Sequence, residues 1–268
     1  FSWNASTGAT LYDIQVATDL GFNNIVATRS NVNTTSVTIS GLANGTLHYW
    51  RVKAKNSNDE SGWSSVFSFT TVLAAPALTL PANNSYGIDL NTFFSWANST
   101  GATLYDIQIA SDANFNNIIH SASDLSSTNY TVFTFVSGTQ YYWHVRAKND
   151  NDMSSWSSTW SFTTKLAPPV LYSPLNNLTN QDVNLTLYWA ASTGATSYTV
   201  ELSFTSDFST IEQSISNVTS TSCDIQNLVF SKKYYWRVRA VTTNDQSDNS
   251  EVWNFETRYL FIGINQDF

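Results

Sequence analysis

Apolar and polar residues alternate with a period of two along most of this 268-residue chain. Tyr12, Ile14 and Val16 fall on one side of an extended segment, with Asp13 and Gln15 on the other. Trp50, Val52 and Ala54 alternate in the same way with Arg51, Lys53 and Lys55, and Phe67 and Phe69 with Ser68 and Thr70. A period of two marks strands with one buried and one solvated face. Between these runs lie Gly, Asn, Ser and Asp, which turns use for positive φ and for local hydrogen bonds. No stretch carries a helical period. The pattern predicts an all-β chain of sandwiched antiparallel sheets.

A shift of 93 residues lays the chain on itself twice without a gap. Trp3, Trp96 and Trp189 coincide, as do Gly8, Gly101 and Gly194, then Tyr12, Tyr105 and Tyr198. Phe22, Phe115 and Phe208 keep the register, and so do Trp50, Trp143 and Trp236, then Phe69, Phe162 and Phe255. Such a period is the signature of tandem units. It sets expected borders at 1–71, 72–164 and 165–257, with a segment 258–268 left over. The joints Val72-Leu73-Ala74-Ala75-Pro76 and Lys165-Leu166-Ala167-Pro168-Pro169 are short and contain proline, which favours semi-rigid connections.

These residues resemble a known family. The early Trp, the Tyr of the next long strand and the run Gly138-Thr139-Gln140-Tyr141-Tyr142-Trp143-His144-Val145-Arg146-Ala147 look like fibronectin type III. The run Trp156-Ser157-Ser158-Thr159-Trp160-Ser161-Phe162-Thr163-Thr164 is similar to the last strand of many bacterial members. The resemblance covers all three repeats and implies three tandem fibronectin-type-III-like (immunoglobulin-like) antiparallel β-sandwiches. It also implies a tyrosine corner, matched by Tyr141 and Tyr234, whereas repeat one has His48 there. The family serves as spacer, adhesin and fibre subunit alike, so the fold alone assigns no function.

Composition narrows the field. Apolar residues make up 42% of the chain, enough for a core in each repeat, while charged residues are only 12%. Ser, Thr and Asn dress the surface instead, the look of a secreted or cell-surface protein. A net charge of −8 without a basic stripe argues against nucleic acid as a partner. No run approaches the ~18 apolar residues of a membrane span. The lone Cys223 cannot form an internal disulfide. Asn-x-Ser/Thr sequons recur, at Asn4, Asn33, Asn44, Asn83, Asn98, Asn129, Asn177, Asn184 and Asn217, so glycosylation is permitted.

Catalysis needs convergent titratable groups in a pocket. No nucleophile elbow, phosphate loop or Cys/His metal spacing occurs, so neither an enzyme nor a cofactor is expected. Asn58-Asp59, Asn151-Asp152 and Asn244-Asp245 hold matching turns; their oxygens suit calcium but equally serve the turns themselves, the reading favoured here. His48 is a weak metal candidate, and His120 and His144 offer it no evident partner. Trp63 and Trp156 lie near Arg51, Lys53 and Arg146 on the neighbouring strand. That spacing favours a cation–aromatic ladder over a sugar platform; repeat three has Asn249 in place of the Trp.

The two ends carry a further expectation. Repeats two and three open with a strand A, near Ala77–Leu80 and Val170–Ser173, whereas repeat one begins directly at strand B. Its acceptor edge would run through Phe1 and Trp3. At the other end, 258–268 aligns with Val72–Ala82 and places Leu260, Ile262, Ile264 and Phe268 on one face of an extended segment. Head-to-tail exchange of this strand would build a homopolymeric filament, each joint repeating the geometry between repeats one and two. The alternative is a spacer or adhesin segment of a larger secreted or cell-surface protein, with glycans as its ligands.

Overall fold

The computed structural model describes residues 1–260, and among them every regular element is a strand. Repeat one contains β1 (Leu11–Ala17), β2 (Ile25–Val32), β3 (Leu47–Lys55) and β4 (Phe67–Thr70). They form one antiparallel sheet in the order β2-β1-β3-β4. The facing layer is reduced to a bridge between Ser2 and Ser36, with Trp3 N–H donating to the Thr35 carbonyl at 3.0 Å.

Repeat two has both layers. Its strands are β5 (Leu78–Leu80), β6 (Ser85–Ile88), β7 (Thr92–Trp96), β8 (Leu104–Ala110), β9 (Ile118–Leu125), β10 (Asn129–Val132), β11 (Gln140–Lys148) and β12 (Trp160–Thr164). They divide into a three-stranded sheet, β10-β7-β5, and a five-stranded sheet, β6-β12-β11-β8-β9. Repeat three copies this with β13 (Leu171–Ser173), β14 (Leu178–Gln181), β15 (Leu185–Trp189), β16 (Ser197–Ser203), β17 (Gln213–Val218), β18 (Ser222–Ile225), β19 (Lys233–Val241) and β20 (Trp253–Thr257). Its sheets are β13-β15-β18 and β14-β20-β19-β16-β17.

The alternating residues meet between the layers. Phe94, Trp143 and Phe162 are fully buried in repeat two, as are Leu187, Trp236 and Phe255 in repeat three. Aromatic edges meet faces there, Phe94 lying 5.1 Å from Trp143 at 71°, a geometry that adds to simple area burial. The expected tyrosine corners form: Tyr141 Oη accepts the Val136 N–H at 3.1 Å, and Tyr234 Oη accepts that of Val229 at 3.0 Å. His48 is buried against Phe69, with Nδ1 2.9 Å from the Thr46 carbonyl oxygen. Among the described residues its Nε2 finds no partner.

Strands β6 and β14 run parallel to β12 and β20 and cover their outer edges. Among the described residues nothing pairs with the matching edge of β4. In the 93-residue register the counterparts of β5 and β6 in repeat one fall before Phe1.

Candidate docking site

Among the described residues, repeat one exposes side chains whose counterparts in repeats two and three are covered. Phe1 reaches between the layers, its ring 5.4 Å from both Trp50 and Phe69. Trp3 leans on Tyr12 at 5.5 Å. Yet Trp50 is only half-buried where Trp143 and Trp236 are sealed, and Phe67 is 55% exposed. Three adjoining cavities follow this flank. One of about 370 Å3 lies against Trp3, Trp50 and Phe67. It shares Trp3, Asn4, Val52 and Ser64 with a second of about 190 Å3. That one shares Ser6, Ala54 and Ser61 with a third of about 220 Å3 at the pole, bounded by Gly8, Ala9 and Asp59.

The same track is filled in the other two repeats. In repeat two Leu73, Pro76, Leu78 and Pro81 are buried along it; in repeat three Leu166, Pro169, Leu171 and Pro174 are. Leu78 pairs with Trp96 and Leu171 with Trp189, so each joint segment becomes strand A of the sandwich it enters. Leu73 joins the core that holds Ala147, with Ala102 packed against it. Ala9 and Ala54 are the equivalents in repeat one, and they line the empty pole.

Each joint is clasped by backbone and by one carboxylate. Gly45 N–H donates to the Val72 carbonyl and Gly138 N–H to that of Lys165, both at 2.9 Å. Asp152 Oδ2 accepts the Leu73 N–H at 2.8 Å, and Asp245 Oδ2 accepts that of Leu166 at a longer 3.4 Å. Gly45, at φ +59°, lies so close to the next repeat that a Cβ there would overlap the Thr100 carbonyl oxygen. Gly138, at φ +60°, stands in the same relation to Thr193. The third member of this set is Ser231, at φ 55°. Its Cβ would collide with the Thr7 carbonyl of any repeat docked in that geometry. At Gly45 and Gly138 the close approach of the next repeat relies on glycine.

The clasping role of Asp152 and Asp245 was not apparent in the sequence. The 93-residue register marks them, but local turn chemistry explained them already, and that chemistry is present too. Asn149 Oδ1 accepts the N–H groups of Asn151 and Asp152 at 2.9 and 2.8 Å. Asp59, their counterpart, accepts only the Glu60 N–H, at 2.8 Å. Of the segment expected as a donor strand, Tyr259 is 73% and Leu260 58% exposed. Ile262, Ile264 and Phe268 lie outside the described residues.

The ladders are in place. In repeat one the Arg51 guanidinium lies 3.9 Å from the Phe22 ring centroid and 4.5 Å from that of Trp63, with Lys53 at 5.4 Å from the same indole. In repeat two His144 replaces the arginine, stacked 3.6 Å from Phe115 and 4.0 Å from Trp156, and Arg146 lies 4.6 Å from that indole. Repeat three keeps only Phe208 over Arg237, at 4.0 Å. All three phenylalanines adopt positive φ, between 54° and 60°. In repeats one and two, Asp19 and Asp112 fold the loop by accepting the N–H groups of the asparagines after the ring. The tryptophans offered as sugar platforms are thus engaged by cations of their own sheet.

Electrostatics here serve packing. Burial drives the His144 pKa down to about 4, helped by the Arg146 charge, so the ring is neutral in the stack. Its Nε2 meets Gln108 Oε1 at 3.0 Å. Burial of Asp106 opposes its charge, but the Asp124 N–H, Lys148 and Arg146 outweigh it and hold the carboxyl below its ordinary range. Arg146 and Lys148 reach it at 2.8 and 3.0 Å. Burial raises the Cys223 thiol, which suits a packing residue rather than a nucleophile. Among the described residues no cluster of three or more His, Cys, Asp or Glu is placed to hold a metal, and no helix is long and apolar enough to cross a membrane.

Comparison with known proteins finds likenesses to immunoglobulin and fibronectin type III domains. The family model for a Rha78A-like N-terminal immunoglobulin domain matches residues 82–168. A human fibronectin type III domain-containing protein 7 is 28% identical over 167 residues, 62% of this chain. The match spans only 22% of that relative. Among solved structures, the FN1–FN3 domains of chicken CNTN1 align over 96% of this chain and 93% of theirs, at 15% identity and a TM-score of 0.34. A two-domain fibronectin type III segment of chicken tenascin covers 69% of this chain with 100% of its own length, at 15% identity and a TM-score of 0.41.

Proposed function

Because the chain is a tandem array of fibronectin-type-III/immunoglobulin-like repeats, we propose that it works as a structural spacer, outside the cell or on its surface. The supporting observation is the joint. Two successive junctions use the same glycine approach, the same backbone bond and the same carboxylate clasp, so orientation is passed on from one repeat to the next. A spacer needs this and little else. The uncharged Ser/Thr/Asn surface suits an extracellular setting, and no catalytic step is part of the proposal.

The test is Gly138→Ala. A methyl at that position must push the Thr193 carbonyl away, and the left-handed φ adds about 1 kcal/mol of strain. Distances between spin labels on repeats two and three should be narrowly distributed in the native chain and broad in the variant. Equal widths in both would refute the clasped joint.

A second reading is the head-to-tail filament, in which 258–268 of one copy completes repeat one of the next. Burial of each large side chain would contribute about 1.5–3 kcal/mol before ordering costs. Under it, the contact between copies must differ from the internal joints, because of Ser231. Electron micrographs of native chain and of a chain lacking 258–268 decide it: fibres in both, or in neither, reject this reading.

A further inference from the structure

We infer that the cavity at the joint between repeats two and three is a binding site for one pyranose ring of a neutral saccharide, held between the Tyr86 ring and the turn 242–245. This goes beyond the spacer reading, which needs no ligand. All the walls of the cavity come from repeats two and three.

The cavity measures about 180 Å3, smaller than the pockets of drug-sized ligands and enough for one six-membered ring. Strand β6 brings Tyr86 to one side of it, with the side chain 47% exposed. Strand β12 contributes Thr163, and the turn after β19 contributes Thr243, Asn244 and Asp245. The needs of that turn are met by another group: Thr242 Oγ1 accepts the N–H groups of Asn244 and Asp245 at 3.3 and 2.9 Å. The Thr243 hydroxyl and the Asn244 amide, both on exposed residues, are left without a partner among the described residues. Asp245 is also freer than its counterpart. Asp152 accepts the Leu73 N–H at 2.8 Å, whereas Asp245 Oδ2 stands 3.4 Å from the Leu166 nitrogen, beyond the usual range of such bonds. Gly87, where a Cβ would lie 3.2 Å from Asp245 Oδ1, leaves that oxygen uncovered.

These groups select a class of ligand. Hydroxyls, an amide and a carboxylate together offer donors and acceptors, the complement of a ring that carries several hydroxyls. Tyr86 and Leu166 give the C–H face of the same ring an apolar wall. No lysine, arginine or histidine lines the cavity, so an anion would meet no opposite charge there. Asp245 is its only carboxylate, too few for a calcium ion. The first joint differs at these positions, with Asn149 and Asp150 where the second has Thr242 and Thr243. A ring bound at the second joint touches both repeats at once.

The test titrates the intact, isotopically labelled chain with methyl α-glucopyranoside, methyl α-mannopyranoside and methyl β-galactopyranoside, followed through amide shifts in NMR spectra. At least one should bind saturably with a millimolar Kd, the range open to so small a ligand, and shift amides of both β12 and the turn 242–245. Tyr86→Ala should weaken that binding about tenfold and Asn244→Ala several-fold, while Tyr86→Phe, which keeps the ring, should bind nearly as the native chain does. Both side chains are exposed, and unchanged amide spectra away from the joint verify that the variants fold. No saturable shift with any of the three sugars at tens of millimolar overturns the inference. Shifts confined to other parts of the chain, or binding that ignores both alanine substitutions, overturn it too. Tighter binding of ethanolamine at the same amides would overturn the choice of a neutral ring and mark Asp245 as the seat of an ammonium group. None of these results bears on the spacer reading, which rests on the Gly138 distances.

Discussion

Acidification should loosen repeat two selectively, through His144. Its ring is held neutral between Phe115 and Trp156, with a pKa of about 4 against 6.5 for a free histidine. As pH falls below 6.5 the unfolded chain takes up a proton that the folded repeat refuses. The unfolded state then binds more protons, so stability declines with falling pH across the window from 6.5 to 4 and levels off beneath it. A tenfold difference in proton affinity between the two states is worth about 1.4 kcal/mol, so the loss is about 2 kcal/mol at pH 5 and about 3 kcal/mol at full protonation. Asp13 and Asp106, whose pKa values lie below 3.8, lose their contribution only in more acidic solution, so the two effects separate on the pH axis. Repeat three supplies the control, since Arg237 stands at the equivalent position and the repeat contains no histidine. Hydrogen exchange at β11 should accelerate between pH 7 and 5, after correction for intrinsic rates, relative to β19. His144→Arg should abolish that difference. Parallel protection in β11 and β19 across this window would refute the reasoning.

Other perturbations test the remaining contacts. His48→Tyr removes a buried unpartnered nitrogen and offers a hydroxyl to the Ala43 N–H, as Tyr141 does for Val136; it should raise the stability of repeat one by about 1 kcal/mol in urea unfolding. Trp63→Ala deletes the indole shared by Arg51 and Lys53 and should cost repeat one about 1 kcal/mol, measured by the same unfolding curve. Asp106→Asn leaves Arg146 without its charged partner while Lys148 keeps Asp124 at 2.6 Å, and should cost repeat two about 2 kcal/mol, read as faster exchange in β8 and β11 alone.

The strands were legible because half-buried sheets impose alternation on their sequence, and the 93-residue register then repeated that information three times. Strands β6 and β14 were not, because Ser85-Tyr86-Gly87-Ile88 and Leu178-Thr179-Asn180-Gln181 carry no alternation. They are held as strands by pairing along one edge of β12 and β20, a tertiary cause with no local signature. The ladders were half legible. A tryptophan after the turn and a cation on the next strand announced themselves, but the phenylalanine that closes the stack works from a left-handed backbone position that apolar patterning ignores. His144 was weighed only as a metal partner for His48, because its place between two aromatic faces and beside Gln108 of the next strand depends on pairing that the sequence does not display.

The joints show why function lags behind fold in such a reading. Gly45, Gly138 and Ser231 are equivalent in register, and nothing in their own sequence sets them apart, since turns are rich in serine as well as glycine. Only the carbonyl of the following repeat distinguishes them, and that carbonyl is more than fifty residues away from Gly45 or Gly138 in sequence. Asp59, Asp152 and Asp245 behave likewise, because a turn aspartate and a clasping aspartate are the same residue until a leucine N–H arrives. The consequence is directional. A repeat that retains the glycine can stack tightly on the next one, whereas the repeat bearing serine receives a neighbour but cannot press closely upon another.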